Sequence, residues 1–133
     1  EITLVNDENY ETLGAKLAKL SGELLVKILP DYVAGKIKPR EQNHTEATFT
    51  KKFATEDGFV DLTKDEAFVI DRKIRALNPN PGVYTFVNRG DKKLRLKLLA
   101  SRLSPDGQLE ILNAQLEGKK PMDDKAAIIK LIG

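Results

Sequence analysis

Cysteine and tryptophan are absent from this 133-residue sequence, and methionine and histidine occur once each. Without cysteine there is no disulfide, no thiolate nucleophile and no cysteine metal site. One histidine, His44, has polar neighbours, reads as a solvated loop residue rather than a general base, and gives zinc too few ligands. Long apolar runs are missing as well: none approaches the ~20 residues of a membrane helix. The first residues lack the basic stretch followed by an apolar one that marks a secretory leader. No glycine-rich phosphate loop of recognised form is present. Asn88-Arg89-Gly90-Asp91 reads as a hairpin turn, and Asp123-Asp124 as helix-start charge rather than an acid and base pair. The lack of cysteine fits a cytoplasmic protein.

Hydrophobic residues make up 41% of the chain and charged ones 32%, a balance that supports one compact domain with a short appendage. The net charge of +2 is unevenly spread. Residues 1–35 hold three lysines against six acids, and residues 36–133 hold nineteen basic residues against fourteen acids. Arg89 to Arg102 alone has six basic residues and one acid. Such asymmetry suits a polyanion partner, though on charge alone an ordinarily solvated surface is the simpler account. The chain starts at Glu1 and its only methionine is Met122, which reads as a piece cut from something longer.

Apolar periodicity predicts a helix from Thr12 to about Ala34, with Leu13, Leu17, Leu20, Leu24 and Ile28 on one stripe. Pro30 should kink or divide it, and Gly35 is placed to end it. Residues 36–55 read as a linker, with Phe49 and Phe53 as local anchors. Phe59, Val60 and Leu62 read as a short strand. Thr63 and Glu66 then form a capping box for a helix from about Asp65 to Leu77. Ala67, Ile70, Ile74 and Leu77 lie on its apolar side, and Arg72, Lys73 and Arg75 fall largely away from it. Pro79 and Pro81 force a turn. Strands follow at Val83–Val87, at Lys93–Leu98, where leucines alternate with Arg95 and Lys97, and at Leu109–Leu116. The last changes phase between Ile111 and Leu112, which marks a bulge. Residues 123–132 close the chain as a helix. The fold class is therefore α+β: several short strands with an inserted helix suggest a small, partly open barrel.

Three tracts carry a resemblance. Asp71-Arg72-Lys73-Ile74-Arg75-Ala76-Leu77-Asn78-Pro79-Asn80-Pro81-Gly82 resembles the C-terminal domain of the methionyl-tRNA formyltransferase family. Gln115-Leu116-Glu117-Gly118-Lys119-Lys120-Pro121-Met122 is similar to that family's closing signature. Ala47-Thr48-Phe49-Thr50-Lys51-Lys52 and Glu56-Asp57-Gly58-Phe59-Val60-Asp61 precede them in the family's order. The resemblance implies an oligonucleotide-binding-type barrel at 56–133, a linker at 36–55, and the helical end of a catalytic domain at 1–35. It departs from the family in three places. The connection from Lys97 to Gln108 is short, which implies a missing strand or an open side. Leu62 and Asn80 stand where the family commonly has tryptophan.

What the resemblance implies for function is a one-carbon transferase of translation initiation. The full enzyme would move a formyl group from 10-formyltetrahydrofolate to methionine on initiator tRNA. No catalytic residue of that family can be placed here, so this part would hold no cofactor and no metal and be inactive alone. Its partners would be initiator methionyl-tRNA and the absent catalytic domain, with no membrane. Candidate tRNA contacts by that resemblance are Lys52, Arg72 and Arg75, with Lys51 beside them; charge and strand alternation add Arg95, Lys97, Lys119 and Lys120. Pairing of Arg72 or Arg75 with Asp71 or Asp61 is the structural alternative. Related domains in formyltransferases of sugar nucleotides or free folate bind no tRNA, and a module that only packs on its catalytic domain is a third option. Most phenylalanines and tyrosines sit in apparent core patterns, so backbone contact with folded tRNA is expected rather than base stacking.

Overall fold

Leucine and basic residues alternate along 93–98, and alternation of this kind must send one set inward and the other outward once the segment extends. In a computed structural model that describes residues 2–133, this segment lies in the central strand of an antiparallel sheet. Strand β1 is Val83–Arg89, β2 is Lys92–Leu103 and β3 is Leu109–Leu116, in the order β1-β2-β3. The chain divides into two compact units, Glu1–Lys52 and Phe53–Gly133. Glu1, counted in the helical segment at 1–35, lies outside the described residues.

The core of the second unit forms where α2 (Ala67–Leu77) meets the leucine face of β2. Ile70, Ile74 and Leu77 are buried with Val83, Leu96 and Leu98. Full burial of each such side chain contributes about 1.5–3 kcal/mol. Helix α3 (Lys125–Ile132) adds Ile128 to the same core and touches both β3 and β1, the two edge strands. Its start is fixed as expected: the Asp124 carboxylate accepts from Ala126 N and Ala127 N.

The phase change near Leu112 has a partner on β2. Leu98 pairs with Ala114, but Ala100 pairs with Asn113 and Ser101 with Ile111. One extra residue, Leu99, therefore sits on β2 and one, Leu112, on β3. The Asn78 amide closes this irregular region. Its Nδ2 donates to Ile74 O at 2.9 Å and to Leu98 O at 3.0 Å.

Four local expectations are corrected. The segment at 59–62 makes only single-residue pairing, Phe59 to Tyr84, because a 3-10 turn at Thr55–Gly58 enters it and the Asp61 turn leaves it. Thr63 and Glu66 do not form a capping box. The Thr63 hydroxyl donates to Asp61 Oδ1 at 2.7 Å, and α2 begins only at Ala67. In the first unit, Pro30 does not divide the helix, since α1 runs unbroken over Tyr10–Val33 with Pro30 in its last turns. Its start is a reciprocal pair, with Thr12 N donating to Asn9 Oδ1 at 2.9 Å and Asn9 N to Thr12 Oγ1 at 3.0 Å. Gly35 follows with φ of 73°, the left-handed conformation expected of it. None of the residues of α1 is buried, its leucine stripe included. Phe49 anchors nothing and is 93% exposed.

Gly58 is fixed by contact rather than by its own torsion. A Cβ placed there would lie 1.9 Å from the carbonyl oxygen of Gly82. The backbone of the 3-10 turn thus rests directly on the turn that follows α2.

Candidate nucleic-acid interface

The outward face of the sheet is built by the residues that the core leaves out. On β2, Leu96 and Leu98 are buried, so Arg95 and Lys97 project to the other side. On β1, Val83, Thr85 and Val87 are buried, so Tyr84 and Phe86 share the outward face. Strand register then sets Tyr84 opposite Lys97, Phe86 opposite Arg95, and Gln115 of β3 opposite Lys97. Phe59 joins them through its bridge to Tyr84.

These rings form a contiguous cluster. Their centroids are 5.7 Å apart for Tyr84 and Phe86, 5.8 Å for Phe59 and Tyr84, and 6.0 Å for Phe59 and Phe86. Phe59 is 41% and Phe86 43% exposed, so both offer ring surface to solvent. Cations lie over two of the rings. The Arg95 guanidinium is 3.5 Å from the Tyr84 centroid, and Lys93 Nζ is 4.7 Å from that of Phe86. The Arg95 Nε is buried without a hydrogen-bond partner, and the π-face of Tyr84 is its nearest compensation. Beside Arg95 is an open depression of about 240 Å³, lined by Arg95, Lys97, Gln115, Leu116, Glu117 and Gly118.

Charge on this face is little compensated. Arg102 pairs with Glu110 at 2.7 Å, and Lys125 shares that carboxylate at 3.3 Å. Those two cations hold the Glu110 carboxyl below its usual range. Among the described residues, Lys93, Arg95 and Lys97 form no ion pair with a carboxylate. Glu117, which lines the depression with Arg95 and Lys97, accepts from the backbone N of Arg95 at 3.3 Å.

The residues expected from sequence fall into separate groups. Arg95 and Lys97 stand side by side at the depression. Lys119 and Lys120 are exposed on the turn that leaves β3, and Lys119 O accepts from the Gln115 amide at 2.9 Å. Arg72 and Arg75 lie on α2, which packs on the inner face of the sheet. Arg72 is exposed, 5.8 Å over the Phe68 ring. Arg75 is tied to Asp71 at 2.9 Å. Asp71 is only 5% exposed and also accepts from the Ser101 hydroxyl at 2.8 Å, so Arg75 has the structural partner weighed as the alternative. Lys51 and Lys52 are exposed and belong to the other unit.

Sequence reading missed Phe59, Tyr84, Phe86 and Lys93. Most phenylalanines and tyrosines read as core from sequence, yet the Val-Tyr-Thr-Phe-Val alternation at 83–87 sets Tyr84 and Phe86 on the face opposite Val83 and Val87. Lys73, also missed, donates from Nζ to Phe59 O at 3.1 Å. Among the described residues, no group of histidine, aspartate and glutamate is placed to hold a metal ion. Among the described residues, no helix is long and apolar enough to cross a membrane.

Comparison with known proteins agrees with the family resemblance. Residues 52–108 match the family described as formyl transferase, C-terminal domain. A methionyl-tRNA formyltransferase of Streptococcus uberis is 41% identical over 73% of this chain and 30% of its own length. One of Chloroflexus aurantiacus is 46% identical over 53% of this chain and 23% of its own. Another, of Herpetosiphon aurantiacus, is 33% identical over 90% of this chain and 45% of its own. The chain thus spans less than half the length of these relatives, and it is similar to their C-terminal part.

Proposed function

We propose that this chain, related to the methionyl-tRNA formyltransferases through their C-terminal part, is the segment of such an enzyme that holds tRNA. The observation that carries the reading is the sheet face on which Lys93, Arg95 and Lys97 stand without carboxylate partners. Ammonium and guanidinium groups so placed neutralise phosphates and release counterions, which gives affinity without reading sequence. Lys119 and Lys120, on the turn that leaves β3, extend this basic surface, and Arg72 adds a separate positive charge on α2. Arg75 contributes less, because its charge is already shared with Asp71.

In this reading residues 1–35 are the helical end of the catalytic domain, 36–55 the linker and 56–133 the tRNA-binding domain. The leucine stripe of α1 packs against the rest of the catalytic domain in the whole protein. The three-stranded sheet, with α3 touching both edge strands, is a reduced form of an oligonucleotide-binding-type barrel. The whole enzyme, in the cytoplasm, takes its formyl group from 10-formyltetrahydrofolate and delivers it to initiator methionyl-tRNA. This segment orients the tRNA and performs no transfer itself.

The test is the affinity of the 133-residue chain for initiator and elongator tRNA across a salt series. Weak binding to both, falling steeply with salt, supports the reading and leaves initiator choice to the catalytic domain. No binding at low salt rejects it in favour of a structural domain, as in a formyltransferase acting on a sugar nucleotide or free folate.

A further inference from the structure

The phosphate-contacting reading uses the cations of the sheet face but not its rings. Core aromatics would be covered, whereas Phe59 and Phe86 leave two-fifths of their surface open on the same side as Arg95 and Lys97. Neighbouring exposed phenylalanines on and beside an edge strand form an apolar patch that costs solubility unless something covers it. Three further features narrow the chemistry of what does. First, the flanking charge is positive: Lys93 over Phe86, Arg95 over Tyr84 and Lys73 at the backbone of Phe59. An apolar peptide or a second copy of this face would bury these cations without partners, a costly arrangement. Second, the guanidinium of Arg95 sits 3.5 Å from the Tyr84 centroid, with the Phe59 and Phe86 rings around it. Planar groups so assembled suit another planar, π-rich group. Third, the depression of about 240 Å³ next to Arg95 offers hydrogen-bonding groups from Gln115, Glu117 and Lys97. A ligand must therefore be planar and aromatic in one part, anionic in another, and able to hydrogen-bond at an edge.

We infer that the face formed by Phe59, Tyr84, Phe86, Lys93, Arg95 and Lys97 takes unpaired nucleotides of an RNA strand, stacking a base on Phe86 and Phe59 while Arg95 and Lys97 hold the phosphates beside it. This rests on the nucleic-acid reading above and deepens it: part of the RNA footprint is single-stranded rather than helical. Stacking on protein aromatics is tolerant of base identity, so the site adds affinity without sequence choice.

The experiment uses the full 133-residue chain and three probes: a single-stranded oligoadenylate, an RNA duplex of the same length, and inorganic polyphosphate. Phe86→Ala is the variant, since an exposed ring can be truncated without opening the core, and a thermal melt confirms that it folds. The inference predicts about fivefold or greater loss of oligoadenylate affinity, the low end of one base–aromatic stack. It also predicts unchanged polyphosphate and duplex affinity and an unchanged salt slope. A folded Phe86→Ala that binds oligoadenylate like the parent overturns the inference, as does equal loss on all three probes. In either case retained, salt-sensitive tRNA binding leaves the proposed function standing, and loss of tRNA binding by the parent chain is the separate result that rejects it.

Discussion

The Asn78 side chain ties the end of α2 to the middle of β2, donating from Nδ2 to Leu98 O at 3.0 Å across a gap of 20 residues. The same amide serves Ile74 O at 2.9 Å and lies 3.4 Å from Leu99 O. It thereby supplies a donor where the paired irregularity at Leu99 and Leu112 disturbs the strand ladder. Asn78→Ala is expected to destabilise the second unit by about 1–3 kcal/mol, the cost of leaving buried acceptors unpaired. Asn78→Asp keeps the shape but turns a donor into an acceptor facing carbonyl oxygens, so its loss should be larger. Denaturant unfolding of both variants checks the order, and an Asp variant as stable as the parent would contradict the assignment.

Gly58 and Gly82 meet backbone to backbone. With a Cβ only 1.9 Å from a carbonyl oxygen, Gly58→Ala forces the 3-10 turn away from the turn after α2. The expected loss is at least about 2 kcal/mol, the scale of overpacking with backbone displacement. A melting temperature equal to that of the parent would show that this contact is not required.

The two arginines of α2 should behave differently. Arg72 is exposed over Phe68, and its replacement by glutamine is expected to leave stability within about 0.5 kcal/mol while lowering affinity for every tRNA. Arg75→Gln leaves the buried Asp71 carboxylate with Ser101 but without its cation. It should cost more stability than Arg72→Gln and lower tRNA affinity less. Melts and anisotropy titrations of the two variants test this, and the reverse order would show that Arg75 acts on RNA rather than on Asp71.

Stability should fall in acid, partly through Glu110. Hydrogen bonds from Arg102 and then Lys125 hold its carboxyl below its ordinary value of 4.5. Unfolding restores that value, so the unfolded chain takes up a proton more readily. The contribution is therefore complete above the unfolded pKa and is lost as pH drops through the folded one. Asp61, held low by Thr63, and Asp106, held low by Ser104, act in the same direction. Glu110→Gln is expected to flatten, though not abolish, the acid slope of stability. An identical slope in the variant would remove Glu110 from the account.

Much of the fold was legible because alternation and helical spacing are local signals. The leucines of β2, the stripe of α2, the Asp124 cap and Gly35 needed no knowledge of distant residues. What depended on a choice between competing local partners, or on distant ones, was not legible. Thr63 bonds to Asp61 rather than to a helix start, and the segment at 59–62 meets the sheet at one residue only. The candidate site divided in the same way. Arg95 and Lys97 could be read from their own strand, while the ring cluster required the register between β1 and β2 and the bridge from Phe59. Pairing with Asp71 was open to Arg72 and Arg75 alike, and only the fold shows that Arg75 takes it while Ser101 holds the other carboxylate oxygen.

The most direct measurement is the salt dependence of tRNA affinity for the parent chain and for the double variant Arg95→Gln, Lys97→Gln. Each phosphate contact removed lowers the slope of log K against log salt by about 0.7–0.9. The account predicts weaker binding to initiator and elongator tRNA alike, with the slope reduced by about 1.5. A folded double variant with the parent's slope and affinity would contradict it, and would move the RNA contact away from the outward face of the sheet.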